Sequence, residues 1–105
     1  MLNSNLSNGI LFFDYSNQTK ITDGSTSFTA PSNGLLTGAF NTNDGYDGNV
    51  LVNGNNILRI RDKTGATGTN CTPFSIILSK GDIVTTRDSL IFSDQAYFYP
   101  CKSLG

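Results

Sequence analysis

The chain has 105 residues, enough for one domain and no more. Seven basic and eight acidic residues give a net charge of -1, so there is no basic footprint for nucleic acid, and no apolar run approaches the length of a membrane span. Charged residues make up only 14% of the chain against about 25% in an ordinary domain, and Asn, Ser and Thr supply the polarity instead. The hydrophobic fraction is 37%, with no Trp and one Met. That is a thin core for a domain this small, and it points toward association between subunits.

Taken in order, the chain opens with a polar arm, residues 1–8, which carries no basic group and so is not the start of a secretory signal; either the chain is assembled in the cytoplasm or it has lost a leader. A single β-sandwich domain is expected over residues 9–105. Its first strand is Ile10-Leu11-Phe12-Phe13, apolar on both faces. Phe28 to Leu36 passes through the break Pro31-Ser32-Asn33-Gly34 into a strand in which Leu36 and Phe40 flank Gly38 on one side. The clearest hairpin joins Val50-Leu51-Val52 to Ile57-Leu58-Arg59-Ile60 through Asn53-Gly54-Asn55-Asn56, because Asn and Gly accept the positive φ of tight turns. Leu58 and Ile60 oppose Arg59 and Arg61. Further on, Phe74, Ile76 and Leu78 share one face, with Ser75 and Ser79 on the other. The chain closes on Tyr97-Phe98-Tyr99, again apolar on both faces.

Turn signals recur every few residues and nothing between them has helical period. The fold expected is all-β, an antiparallel sandwich of about eight short strands with jelly-roll character. In the two doubly apolar segments one face belongs to the core. The other is expected to be a subunit interface, where aromatic residues are enriched, which singles out Ile10, Phe12, Tyr97, Phe98 and Tyr99.

Chemistry is constrained by what is missing. There is no His, hence no Ser-His-Asp triad, Cys-His pair or imidazole ligand. There is no Glu either, and the eight Asp mostly occupy turn positions, where Asp caps its own backbone. No enzymatic activity, cofactor or metal is expected. Asn43-Asp44-Gly45-Tyr46-Asp47-Gly48-Asn49 has oxygen donors and glycines but not the calcium-loop spacing, so a plain exposed turn is the better reading. Asp44, Tyr46 and Asp47 nevertheless make this loop the candidate for ligand contact, and Tyr15, Tyr46 or Tyr97 could stack on a sugar. Arg59, Arg61, Lys63 and Arg87 form a modest basic face of the kind usual on solvated strand edges. The three Asn-x-Ser/Thr triplets, at Asn5, Asn17 and Asn70, are taken as chance in so Asn- and Thr-rich a chain. Cys71 and Cys101 could form one disulfide, but free thiols are expected in a chain without export features.

Three segments carry a family resemblance. Phe28-Thr29-Ala30-Pro31-Ser32-Asn33-Gly34-Leu35-Leu36 resembles the T-x-P-x-D/N-G-hydrophobic strand of bacteriophage fibre and capsid-accessory domains. Leu78-Ser79-Lys80-Gly81-Asp82-Ile83-Val84 is similar to the L-x-K-G-D-x-V turn of the same domains and of tumour-necrosis-factor-like jelly rolls. Ala96-Tyr97-Phe98-Tyr99-Pro100-Cys101-Lys102 resembles the F-x-P-x-K close of phage fibre chains. The resemblance implies a virion-surface jelly roll, assembled in the host bacterial cytoplasm as a homotrimer with the last aromatic strand near the threefold axis. With so short a polar arm before the first strand, it implies a capsid decoration or head-fibre subunit that contacts the major capsid protein or other virion proteins. The alternative is a carbohydrate- or receptor-binding module of a phage fibre, reading a host surface glycan through its loops.

Overall fold

The computed structural model describes residues 12–43, 47–61, 69–88 and 90–102. Nine strands occupy them: β1 (Thr19–Lys20), β2 (Ser27–Thr29), β3 (Gly34–Asn43), β4 (Asp47–Val52), β5 (Asn55–Arg61), β6 (Thr69–Leu78), β7 (Ile83–Asp88), β8 (Ile91–Phe92) and β9 (Tyr97–Pro100). They form two sheets, both antiparallel. One runs β1-β9-β3-β6, with β8 beside the far half of β3, and the other runs β2-β7-β4-β5. The pairs β4·β5, β3·β6, β2·β7 and β1·β9 are nested, like a long hairpin wound round itself. That is the jelly-roll winding. The expected sandwich class is therefore the observed one, with nine strands rather than eight because two residues, Ile91 and Phe92, pair separately with β3.

The core lies between the sheets, and period-two alternation builds it. Leu36 and Phe40 from β3, Phe74 and Leu78 from β6, Phe92 from β8 and Phe98 from β9 face Val50, Ile60 and Val84 of the other sheet. Phe40 stacks on Phe74 at 4.0 Å and lies 5.1 Å from Phe92, so the aromatic cluster sits where β3 changes partner. Gly38 makes that change possible. Its φ is +137°, and a Cβ there would strike the Gln95 carbonyl and lie 2.6 Å from the Ala96 Cα. Only glycine lets β3 pair with β9 over Gly34–Thr37 and with β8 at Phe40 and Asn41.

Two local expectations change. The β4–β5 hairpin turns on Asn53-Gly54 alone, at φ +53° and +81°, a two-residue turn of the primed type. The two residues expected to complete the turn, Asn55 and Asn56, already belong to β5, and the extra residue is absorbed as a bulge opposite Val50 and Leu51 that leaves Ile57 unpaired. At the start of the chain, Phe13 makes only an isolated bridge to Cys101 where a strand was expected; Ile10 and Leu11 lie outside the described residues.

The segments that resemble phage domains meet at one end of the sandwich. The Asn33 side-chain carbonyl accepts from the Lys80 amide at 2.8 Å, and its backbone carbonyl accepts from the Cys101 amide at 2.9 Å. Gly81 donates to the Ala30 carbonyl, and Ala30 donates to the Asp82 carbonyl. The Asp82 carboxylate then accepts from Asn53 Nδ2 at 2.9 Å and from the Ser79 amide at 2.8 Å. Four chain segments distant in sequence are thus locked by polar bonds at the surface, in addition to the core contacts that Phe28, Leu78 and Phe98 make beneath them.

Candidate interaction face

The face that stands out is the outer surface of the five-stranded sheet. Residues that pair across antiparallel strands share a face, so the register assigns it directly. Leu36 opposite Phe98 and Ile76 points inward, hence Leu35, Tyr99 and Ile77 point outward in one row. Thr37, Tyr97 and Ser75 form the next row, and Lys20 of β1 lies beside Tyr97 at the margin. Ala39 with Pro73, then Asn41 with Cys71 and Ile91, complete it. No outward position on β9, β3 or β6 among these carries a charge.

At one end the face is aromatic. Tyr15, 63% exposed, sets its ring edge-on to Tyr99 with centroids 5.0 Å apart at 71°. Tyr97 lies 6.4 Å from Tyr99, and Phe13 lies 6.4 Å from Tyr15. The Tyr99 hydroxyl donates to the Gln18 side-chain oxygen at 3.2 Å, which fixes the ring over the sheet. Beside Tyr15 the Asp14 carboxylate accepts from the Ser16 hydroxyl and amide. These bonds hold it below the usual carboxylate range, the hydroxyl being the larger cause. On the far side of Leu35 from Tyr99, Ile77 is 62% exposed.

Of the residues singled out from sequence, Tyr97 and Tyr99 lie half-buried on this face and Phe12, 49% exposed, precedes Phe13 at its end. Phe98 does not belong with them. Its ring is 1% exposed and packs on Phe28 at 5.3 Å, so it is a core residue of the monomer. The doubly apolar reading of the last strand resolves into one ring inward and two outward. Ile10 lies outside the described residues, as do Asp44 and Tyr46 and the side chain of Asp47. Sequence reasoning missed Leu35 and Ile77. Their signal was the doubled apolar pairs Leu35-Leu36 and Ile76-Ile77, which break alternation just as Tyr97-Phe98-Tyr99 does, and pairing sets all three breaks side by side.

No known protein family and no curated protein matches the chain. Among solved structures it is similar to the native family 35 carbohydrate binding module from Clostridium thermocellum, with 19% identity and a TM-score of 0.43 over 88% of this chain and 93% of that one.

The opposite outer surface differs in kind. There Asn49 pairs with Arg59 on one side and Arg87 on the other, and both arginines are exposed. Both cysteines are free, Cys71 exposed and Cys101 half-buried. Cys71 pairs with Asn41, while Cys101 follows the residue that pairs with Gly34. Seven steps along β3 are roughly 23 Å, far beyond disulfide reach. Burial raises the Cys101 thiol above its ordinary range, whereas Cys71 Sγ lies 3.0 Å from the Asn41 side-chain oxygen. Among the described residues no three His, Cys, Asp or Glu side chains gather as a metal site would need, and no helix is long and apolar enough to cross a membrane.

Proposed function

We propose that this chain is a structural subunit of a bacteriophage particle surface, a capsid decoration or head-fibre protein that works as a homotrimer and contacts other virion proteins. The observation that carries the reading is the outer face of β9, β3 and β6, whose outward side chains carry no charge and include Tyr97, Tyr99, Leu35 and an Ile77 that is 62% exposed. Aromatic enrichment with depletion of charge is the composition of an interface core. The resemblance of three segments to phage-surface domains supports the same reading, since those segments close one end of the sandwich on each other. Assembly would take place in the bacterial cytoplasm and the mature location would be the virion surface. Sedimentation of the purified chain tests it. A species of three times the chain mass, stable at micromolar concentration, is expected; a monomer throughout that range contradicts the reading.

One observation favours a second reading, a carbohydrate-binding module of a phage fibre. Tyr15 is mostly exposed, braced by Tyr99, with the Gln18 amide nearby. A ring to stack on and an amide to hydrogen-bond are the two groups a sugar uses. A glycan array separates the readings. Reproducible binding that is lost in Tyr15→Ala, with the chain monomeric, would put recognition ahead of assembly.

A further inference from the structure

We infer that Asn53 is a deamidation site, where the chain turns its own side-chain amide into a carboxylate at a rate set by the contact with Asp82. The site is independent of the face described above and holds for a subunit and a sugar-binding module alike.

The chemistry starts in the sequence. In an Asn-Gly pair the backbone nitrogen of the second residue reaches the amide of the first most easily, because Gly has no Cβ to obstruct the approach. The Gly54 nitrogen gives its proton to a solvent base and bonds to Asn53 Cγ. The bond from Cγ to Nδ2 breaks, and the amide nitrogen takes a proton from solvent and leaves as ammonia. Water then opens the five-membered imide at one carbonyl or the other, which leaves an aspartyl or an isoaspartyl linkage. Nothing is oxidised or reduced.

The fold ranks the places where this can happen. The chain has three such pairs, Asn8-Gly9, Asn33-Gly34 and Asn53-Gly54, and the first lies outside the described residues. Gly34 is buried in β3 between β6 and β9, where a Cβ would meet the Tyr99 carbonyl and the Phe98 ring. With both ladders holding it, the peptide between Asn33 and Gly34 has no freedom to close the ring. Asn53 and Gly54 are both exposed at the tip of the β4–β5 hairpin, and nothing lies within 4 Å of a Cβ built at Gly54. There the ring has room.

What restrains Asn53 is its own set of bonds. Its Nδ2 donates to Asp82 Oδ1 at 2.9 Å, and its Oδ1 accepts from the Ile83 amide at 2.9 Å. The side chain is thus turned toward the start of β7 and must give up both bonds to swing its Cγ back to Gly54. The product undoes the same contact. An oxygen of the new carboxylate replaces the Nδ2 donor and faces the Asp82 carboxylate, and like charges so close repel. Deamidation therefore loosens, irreversibly, the tie between the hairpin tip and the Lys80-Gly81-Asp82 turn.

Peptide mapping by mass spectrometry tests this on the full chain in mildly alkaline buffer, native and in urea. In the native chain Asn53 should convert to a mixture of aspartyl and isoaspartyl forms, more slowly than in urea, while Asn33 stays intact. Asp82→Ala, checked for folding by circular dichroism, should speed conversion at Asn53 by about threefold, the effect of one exposed hydrogen bond, and leave Asn33 unchanged. Asn53→Asp, which stands for the aspartyl product, should unfold at a lower temperature than the native chain. Three results would overturn the site: native Asn33 converting as fast as Asn53, native Asn53 as fast as in urea, or native Asn53 untouched when the chain in urea is fully converted. An Asp82→Ala rate equal to the native one would overturn the control by Asp82, and an Asn53→Asp chain as stable as the native one would overturn the loosening. Should Asp82→Ala fail to fold, Asp82→Ser serves instead, with the same outcomes.

Discussion

Single residues decide where the sandwich bends and how its ends are held. Gly38 and Gly54 both have positive φ, but their surroundings differ. Nothing lies within 4 Å of a Cβ built at Gly54, so Gly54→Ala should cost only the backbone strain, about 1 kcal/mol. At Gly38 the same change adds a collision with the Gln95 and Ala96 backbone, and about 2–4 kcal/mol is expected. Denaturant midpoints of the two variants would settle it; equal losses would mean β3 is not pinned at its switch point. Asp82 gives a pH signature. Its bonds from Asn53 first, then the Ser79 amide, lower its folded pKa. The stabilisation is therefore complete above the unfolded value and is lost as pH falls through the folded one. Asp82→Asn should lower thermal stability at pH 7, and the difference from the native chain should close as pH falls below the ordinary carboxylate range. A gap independent of pH would show that the carboxylate charge plays no part.

At the scale of strands, alternation was the legible signal, and it worked wherever only one face of the strand is apolar. Phe74, Ile76 and Leu78, and Leu36 with Phe40, face inward as their spacing requires. It failed where pairing added something that no single strand contains. The last strand reads as apolar on both faces, yet register divides it, Phe98 to the core and the tyrosines to the surface. The bulge in β5 is equally invisible, because nothing in Asn55 to Leu58 says which residue will be left unpaired. The candidate face was half legible: Tyr97 and Tyr99 were visible as an aromatic excess, whereas Leu35 and Ile77 acquire meaning only as their neighbours across the sheet. The division predicts two phenotypes from adjacent residues. Phe98→Ala removes a buried ring and should destabilise the monomer by about 3–5 kcal/mol. Tyr97→Ala, on the outer face, should weaken association while changing the monomer's unfolding midpoint much less.

The whole molecule is a jelly roll with two unlike outer surfaces. One carries arginines; the other is aromatic, aliphatic and uncharged along three strands, beside the long edge of β6 that no other described strand pairs. Composition anticipated this in outline, since so few charges cannot cover a small sandwich evenly. It could not say which surface would go without, because that depends on the winding that puts β9 and β6 on either side of β3. Hydroxyl-radical footprinting read by mass spectrometry, across a dilution series of the native chain, tests the central claim most directly. Ile77 and Tyr15 should lose reactivity as concentration rises, while Ile57 and Ile83, exposed on the other sheet at 49% and 44%, keep theirs. Unchanged reactivity at Ile77, or protection confined to Ile57 and Ile83, would contradict the account.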